Sequence, residues 1–220
     1  KKFVKKLKNM GLCDSVDYTI PGAKQALINV PNDTVTISKM AYGYSVELSP
    51  LQMLTFYNGI ANDGKMITPL IVKEIRKNGK VIEEFESSVI KSSICSDATL
   101  ESIRECLHDV VWNDTLGTAS VNPWGTRKAQ SDLVAIAGKT GTAQILEKGY
   151  SNRRHRMSFV GYFPEENPQY TCICVIHGPQ WPYDAGMDCG SVVRHIAEKT
   201  MAYAGEYVIK NGELVMVVKE

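Results

Sequence analysis

Apolar residues recur at helical spacing in four segments of the chain, which predicts four helices. The first has apolar positions Phe3, Val4, Leu7 and Met10. It stops at Gly11, because glycine commonly ends helices. The second is predicted over residues 50–61, since S-P-L-Q at 49–52 supplies a capping serine, a proline at the first helical position and a reciprocal glutamine. The turn residues N-D-G at 62–64 then end it.

The third helix is predicted to follow Ser96, which stands at its N-cap. Its apolar stripe consists of Leu100, Ile103, Leu107, Val110 and Val111. The fourth helix is predicted over 191–204. Residues 12–48 show no clear period and contain turn signals, so we expect an irregular connection there. A loop rich in Gly, Pro and aromatic residues is expected over 178–190.

Short apolar runs bounded by turn residues predict the strands. Asn-Gly at 78–79 joins strands at 70–75 and 80–85 into a small hairpin. Three further strands are predicted at 133–144, 156–163 and 169–177. A second Asn-Gly pair at 211–212 predicts a closing hairpin. Sequential strands joined by short turns form an antiparallel sheet, so the fold class is α+β, with helices flanking the sheet.

We expect one folded region over residues 1–220, without internal repeats or an obvious domain linker. Its predicted parts are a mainly helical one with a small hairpin at 1–132, the sheet and final helix at 133–204, and a hairpin at 205–220. With 44% hydrophobic and 22% charged residues, the composition excludes a disordered chain.

The charges of the chain nearly cancel. There are 25 Lys and Arg against 24 Asp and Glu, a formal net charge of +1. This balance gives no electrostatic reason to expect nucleic acid as a partner. No apolar run approaches the ~18 residues that span a bilayer.

The cysteines and histidines show no metal-ligand spacing. The cysteines stand at 13, 95, 106, 172, 174 and 189 and include no C-x-x-C pair. We expect most of these thiols to be buried, because free cysteine is among the most buried residue types. Cys172 and Cys174 would share one face of a strand and could not easily bond each other. The basic run R-R-H-R at 153–156 is expected to be a solvated loop, and Trp181, Tyr183, Asp184 and Asp188 are expected to pack at a rim.

The segment A-G-K-T-G-T-A-Q at 137–144 carries the most informative chemistry. On a strand, Thr140 and Thr142 project to the same face, near the ammonium of Lys139. Two hydroxyl donors and one positive charge suit a carboxylate, and a backbone N–H of the strand could stabilise an oxyanion. The two glycines are typical of strands that another chain or a ligand approaches closely. The alternative is an edge strand whose lysine guards against aggregation.

Residues 138–144 resemble the third motif of the class B penicillin-binding proteins, the monofunctional transpeptidases whose motifs are S-x-x-K, S-x-N and K-T-G. Other stretches resemble this family in the same order: Y-G-Y-S-V-E-L-S-P-L-Q at 42–52, I-A-N-D-G-K at 60–65, L-G-T-A at 116–119, S-F-V-G-Y-F-P at 158–164 and G-S-V-V at 190–193. The resemblance covers about residues 1–204. It is nearest to the transpeptidases of cell division and elongation.

The resemblance implies the C-terminal part of a domain with the serine β-lactamase/transpeptidase-like fold. In the family, a serine attacks the penultimate D-Ala carbonyl of a peptidoglycan stem peptide ending in D-Ala-D-Ala, and β-lactams imitate this substrate. Thr140, Gly141 and Thr142 would then bind the substrate beside Lys139, and Lys139 and Thr142 would be catalytic. The backbone of Thr142 would contribute to the oxyanion hole. No metal and no organic cofactor is implied.

The resemblance also implies that the nucleophile half of the domain is missing, since S-x-x-K and S-x-N lie upstream of the matched region in the family. S-V-I-K at 88–91 and S-V-N at 120–122 match these two motifs by residue type. However, Ser88 follows a hairpin rather than opening a buried helix, and 120–122 lies too near Lys139 in sequence. We therefore expect this chain alone to be inactive. The parent is expected on the extracytoplasmic (periplasmic) face of the membrane, anchored through an N-terminal segment, with other cell-wall synthesis proteins as partners.

Two other functions stay open on the sequence alone: a non-catalytic interaction module of a cell-wall synthesis complex and, more weakly, a β-lactam sensor. One physical expectation follows from the missing half. By resemblance, two of five strands would be absent, so the apolar run Y-T-C-I-C-V-I at 170–176 would form an open edge. We expect a second copy of the chain to cover it as a homodimer, with residues 213–218 as the alternative cover.

Overall fold

The computed structural model shows an α+β fold of five α-helices and short antiparallel sheets among its described residues. It describes residues 2–12, 14, 16, 26–28, 33–145, 154–180 and 182–204, and the backbone of 207–210 and 213–216. The chain divides into two compact units, Lys1–Leu100 and Glu101–Glu220.

The helices of the N-terminal unit are α1 (Lys2–Asn9), α2 (Thr34–Met40) and α3 (Pro50–Ala61). The helices predicted at 3–10 and 50–61 are confirmed, and Ser49 Oγ accepts the N–H of Gln52 at 3.1 Å, as the cap requires. The prediction of an irregular segment over 12–48 is wrong for α2. Asp33 caps this helix by accepting the N–H of Thr36 at 2.7 Å. With 7 residues, α2 is too short to display a full apolar stripe.

Ser49→Ala is expected to lower the free energy of unfolding of the N-terminal unit by about 1 kcal/mol, because the N–H of Gln52 loses its acceptor. Urea unfolding followed by circular dichroism measures the change. Ser49→Asp is the matched control, since it retains a capping oxygen and should cost only a few tenths of a kcal/mol. An equal loss in both variants would show that the cap is not the cause.

The strands of this unit pair locally. β1 (Leu27–Ile28) pairs with β2 (Val46–Glu47), β3 (Met66–Ile67) with β6 (Val89–Lys91), and β4 (Glu74–Lys77) with β5 (Lys80–Glu84). The predicted hairpin is confirmed: Asn78 and Gly79 have φ values of 52° and 78°, the left-handed conformation that its turn needs. Its first strand begins at Glu74 rather than at residue 70. The hairpin is mostly exposed, so residues 70–72 gain no burial by joining it.

Helix α4 (Asp97–Trp112) begins where the sequence predicts, with Ser96 Oγ accepting the N–H of Thr99 at 3.4 Å. The buried residues of its stripe are Leu100, Leu107 and Val111. The sequence pattern places Ile103 in this stripe, but its side chain is 40% exposed. With 3.6 residues per turn, it lies about 60° around the helix from the buried line.

A three-stranded antiparallel sheet forms the centre of the C-terminal unit. Its strands are β7 (Ala137–Gln144), β8 (His155–Phe163) and β9 (Tyr170–His177), in that order across the sheet. The predicted strand order is thus confirmed. β7 starts at Ala137 rather than at residue 133, because Ser131 Oγ accepts the N–H of Leu133 at 3.1 Å and shapes a bend there.

The outer edge of β9 pairs with no strand within the described residues. The two last strands, β10 (Tyr207–Lys210) and β11 (Glu213–Met216), pair with each other in a separate sheet. Residues 213–216 therefore do not cover β9. The predicted Asn-Gly turn at 211–212 lies outside the described residues, and self-association through this edge stays a prediction.

A π-helical turn (Gly186–Gly190) leads directly into α5 (Ser191–Tyr203). The last helix is confirmed, but the segment before it is not wholly a loop. Both elements pack on β8 and β9. The core of the unit contains Val111, Ala119, Ala129, Val134, Ile136, Met157, Phe159, Phe163, Ala185, Cys189, Val193, Ala197 and Met201. This packing brings the segment before α5 against the face of the sheet.

Candidate functional site

Strand β7 presents two threonine side chains to one cavity. Thr140 and Thr142 both line a cavity of about 330 Å³, so the prediction that they share a face agrees with the structure. The cavity is lined by Thr118, Lys128, Thr140, Thr142, Tyr183, Asp184, Ala185 and Gly186. These residues come from β7, from the segment after α4 and from the segment before α5, so three parts of one unit build the site.

Lys139 bonds to its neighbour Thr140 rather than lining the cavity. Its Nζ donates to the Thr140 carbonyl at 3.1 Å and to Thr140 Oγ1 at 3.3 Å. Burial lowers the pKa of Lys139 from its ordinary value. The ammonium of Lys139 therefore contacts the hydroxyl of Thr140, one of the two that the sequence predicts. Thr142 lies two residues further along the strand.

The two glycines of the motif lie close against β8. A Cβ on Gly141 would lie 2.6 Å from Ser158 Oγ, and a Cβ on Gly138 would lie 2.6 Å from the Val160 carbonyl oxygen. The close approach that the sequence predicts is made by the neighbouring strand.

Thr118 is a site residue that the sequence prediction of functional residues did not include. Its Oγ1 lies 2.7 Å from Thr140 Oγ1, and it also lines the cavity. The signal in the sequence is L-G-T-A at 116–119, a stretch that resembles the family and contains this threonine.

Lys128 and Asp184 form an ion pair in the cavity wall that sequence reasoning also missed. Lys128 Nζ donates to Asp184 Oδ2 at 2.8 Å and to the Thr118 carbonyl at 3.2 Å. Burial alone would raise the pKa of Asp184. However, the hydrogen bonds from Lys128 and from the N–H of Met187 bring this pKa below its ordinary value. Asp184 thus stays ionised, and the pair holds the segment before α5 against the carbonyl of Thr118.

Tyr183 lines the cavity, and its hydroxyl contacts a histidine. The Tyr183 hydroxyl lies 2.5 Å from Nδ1 of the buried His155. The prediction that 153–156 is a solvated loop is wrong for His155 and Arg156, which belong to β8, and Arg153 lies outside the described residues. Of the predicted rim residues, Tyr183 and Asp184 line the cavity, Asp188 accepts the N–H of Asp184 at 2.8 Å, and Trp181 lies outside the described residues.

The serines of S-V-I-K and S-V-N, the two stretches that match family motifs by residue type, form hydrogen bonds away from the cavity. Ser88 Oγ lies 2.8 Å from Thr68 Oγ1 beside the end of β3. Ser120 is fully buried, and its hydroxyl donates to Asp114 Oδ1 at 2.5 Å. Ser120 is not part of the cavity wall.

The expectation of mostly buried cysteines is wrong among the described residues. Cys189 alone is buried there, whereas Cys106 is exposed and the remaining three (Cys95, Cys172 and Cys174) are half-buried; Cys13 lies outside the described residues. Within the same residues, no group of three or more His, Cys, Asp or Glu side chains could hold a metal ion. No described helix is both long and apolar enough to cross a membrane.

Comparisons with known proteins agree on one family. The family model of the penicillin binding protein transpeptidase domain matches residues 1–202. The chain is 30% identical over 173 residues to a peptidoglycan D,D-transpeptidase FtsI homolog of Mesostigma viride, covering 72% of this chain and 27% of that protein. It is 29% identical over 187 residues to the penicillin-binding protein PbpB of Mycolicibacterium smegmatis, covering 81% of this chain and 28% of that protein.

A solved structure shows the same similarity in three dimensions. Penicillin binding protein 3 from Mycobacterium tuberculosis, complexed with aztreonam, superposes with a TM-score of 0.74 at 25% identity, covering 98% of this chain and 48% of that chain. The chain spans little more than a quarter of the length of the two curated relatives, 27% and 28%.

Proposed function

Because the chain belongs to the family of penicillin-binding protein transpeptidase domains, we propose that it is the C-terminal part of such a domain in a longer peptidoglycan D,D-transpeptidase. The longer protein cross-links stem peptides by acyl transfer through a serine. It works at the extracytoplasmic face of the membrane, with other cell-wall synthesis proteins as partners. The relatives named as D,D-transpeptidase or penicillin-binding protein support this proposal.

The observation that carries the proposal is the pair of hydroxyls that β7 presents to the cavity. A stem peptide ending in D-Ala-D-Ala and a β-lactam both carry a carboxylate close to the carbonyl that is attacked. Thr140 and Thr142 donate to this carboxylate, and Lys139 Nζ, 3.3 Å from Thr140 Oγ1, supplies the positive charge. Hydrogen bonds to an ionised acceptor are about twice as strong as neutral ones.

The same strand serves the acyl-transfer step. When the serine oxygen attacks the carbonyl, negative charge develops on the carbonyl oxygen, and the backbone of Thr142 contributes a donor to stabilise it. Lys139 contributes to this step as the positive charge beside Thr140, which helps to hold the carboxylate while the carbonyl is attacked.

In this proposal the serine nucleophile belongs to a part of the longer protein outside this chain. Ser120 is unsuited to the role, because its hydroxyl is fully buried and already donates to Asp114. Ser88 lies next to the short strand β6, and its hydroxyl pairs with that of Thr68 rather than with a lysine or histidine base. The chain therefore supplies the carboxylate-binding strand but not the acylated residue.

Labelling with a fluorescent penicillin tests the proposal on two proteins side by side. The full-length protein is expected to take up one label per molecule, and unlabelled aztreonam should compete for it. The 220-residue chain alone is expected to show no adduct by intact-mass spectrometry. Absence of labelling in a folded full-length protein would contradict the proposal and favour a non-catalytic interaction module. An adduct on Ser88 or Ser120 of the chain alone would place the nucleophile inside it.

A further inference from the structure

Lys128 is a nearly buried lysine in the wall of the cavity, with its side chain only 11% exposed. Its ammonium donates to Asp184 Oδ2 at 2.8 Å and to the Thr118 carbonyl at 3.2 Å. A buried ion pair adds little net stability, because the loss of hydration offsets the attraction between the charges. The position of Lys128 is therefore better explained by the group that it holds, which is the peptide group of Thr118.

The backbone between Thr118 and Lys128 folds back on itself and brings the two residues together. The Lys128 N–H donates to the Ser120 carbonyl at 2.8 Å, and the Ala129 N–H donates to the Ala119 carbonyl at 2.9 Å. Ala119 and Ala129 belong to the hydrophobic core of the unit. These contacts fix the base of the turn, so the lysine side chain needs to reach back only two residues to the Thr118 carbonyl.

Gly186 lies against the same carbonyl. A Cβ at this buried position would overlap the Thr118 carbonyl oxygen, and it would lie 2.8 Å from Lys128 Cδ and 3.1 Å from Asp184 Oδ1. Three segments of the chain thus meet around one peptide group. A carbonyl that is bound by an ammonium and packed against a glycine has little freedom to rotate, so the peptide group of Thr118 is fixed in direction.

The hydroxyl of Thr118 connects this peptide group to strand β7. Thr118 Oγ1 lies 2.7 Å from Thr140 Oγ1, and Thr140 Oγ1 also lies 3.3 Å from Lys139 Nζ. A continuous series of contacts therefore runs from Asp184 through Lys128 and Thr118 to the hydroxyl of Thr140.

From this series of contacts we propose that Lys128 and Asp184 are positioning residues for the carboxylate of the substrate. They fix the peptide group of Thr118, Thr118 orients the hydroxyl of Thr140, and this hydroxyl donates to the carboxylate. Hydrogen bonds weaken steeply when they lengthen or bend, so the direction of the Thr140 hydroxyl affects how well the carboxylate is held. The inference rests on the proposed function, because it concerns the same carboxylate.

Asp184 allows the charge of the pair to be tested without changing its shape. Its Oδ1 accepts the N–H of Met187 at 2.9 Å, and its Oδ2 accepts the bond from Lys128. In Asp184→Asn, the amide oxygen can still accept one of these bonds, but the negative charge that compensates the lysine is lost. The ammonium is then expected to turn toward solvent and to release the Thr118 carbonyl.

The acylation rates of the full-length protein with a penicillin and with its methyl ester test the proposal. The ester lacks the negative charge that Thr140 and Lys139 hold, so the ratio of the two rates measures how well the carboxylate is used. We expect a ratio well above one in the unaltered protein. Lys128→Met removes the donor to Thr118 and should lower this ratio about tenfold, and Asp184→Asn should lower it about threefold.

The ratio separates positioning from a purely structural role, because a loosened fold slows both ligands equally. Thr118→Val provides a second readout, since it removes the hydroxyl through which the pair acts. It should lower the ratio by itself, and Lys128→Met should then lower it by no more than about twofold further. Asp132→Asn is the matched control. It removes the carboxylate of another ion pair, with Arg127, and should leave the ratio unchanged.

An unchanged ratio in both Lys128→Met and Asp184→Asn, in proteins with native circular dichroism, would overturn the inference and leave the proposed function intact. A full further loss from Lys128→Met in the Thr118→Val background would overturn it as well, because the pair would then act by another route. A ratio near one in the unaltered protein would contradict the carboxylate-binding role of Thr140 itself. If Lys128→Met does not fold, Asp184→Asn takes its place in both experiments.

Discussion

In the full-length protein, Lys139→Ala and Thr142→Val are each expected to slow β-lactam acylation by about 10²–10³-fold. Lys139→Ala removes the ammonium that donates to Thr140 at 3.3 Å, and Thr142→Val removes one hydroxyl from the cavity wall without changing the size of the side chain. In the proposed function, both changes remove a group that holds the carboxylate of the β-lactam beside the attacked carbonyl, whereas the backbone donor of Thr142 is kept. Stopped-flow measurement of the acylation rate over a range of β-lactam concentrations gives the result.

Matched variants separate chemistry from folding in this experiment. Thr142→Ser retains the hydroxyl and should stay within a few-fold of the unaltered protein. Lys199→Ala removes another lysine of the same unit, from α5, and should have no effect on acylation. Unchanged kinetics in both Lys139→Ala and Thr142→Val would show that β7 is not the site. A loss of native circular dichroism would mark a variant as misfolded instead.

Gly138→Ala is expected to lower the free energy of unfolding of the C-terminal unit by about 3 kcal/mol. A Cβ at this position would lie 2.6 Å from the Val160 carbonyl oxygen, 2.6 Å from the ring of Phe159 and 2.9 Å from the Cα of Gly161. Two of these atoms are backbone of β8, where Gly138 pairs with Gly161. They cannot move away without separating the two strands. Urea unfolding followed by circular dichroism reports the loss.

Gly141→Ala is the comparison for this prediction, because it lies on the same strand and faces the same neighbour. Its Cβ would meet one close atom, Ser158 Oγ, at 2.6 Å. A hydroxyl can rotate away, so we expect a cost of about 1 kcal/mol or less. Equal losses in the two variants would show that close packing of β8 is not what position 138 requires.

Local signals in the sequence predicted much of the fold. The cap of α3 at Ser49, the Asn-Gly turn after β4 and the order β7, β8, β9 are each determined by residues close together in the chain, and each is confirmed. The shared face of Thr140 and Thr142 follows from the alternation of side chains along a strand. These features need no knowledge of which distant segments meet.

The rest of the cavity wall depends on contacts between distant segments. Lys128 and Asp184 are 56 residues apart, and His155 and Tyr183 are 28 apart. Nothing in the sequence near Lys128 distinguishes it from a solvated lysine. The predictions for Ile103 and for residues 70–72 were wrong for a related reason. Apolar character predicts burial only where another element is present to cover the residue.

The bonds of Thr140 determine what kind of ligand atom the cavity accepts. An ammonium has donors alone, so Thr140 Oγ1 must receive the bond from Lys139. Either hydroxyl can donate in the 2.7 Å contact between Thr118 and Thr140. When Thr118 donates, both lone pairs of Thr140 are filled. The proton of Thr140 itself then points to an incoming atom that has a lone pair. A carboxylate oxygen satisfies this direction, whereas the NH₂ group of the corresponding amide opposes it. In the proposed function this direction favours a carboxylate, both of whose oxygens accept hydrogen bonds, over the corresponding amide, of whose two polar atoms the oxygen alone accepts.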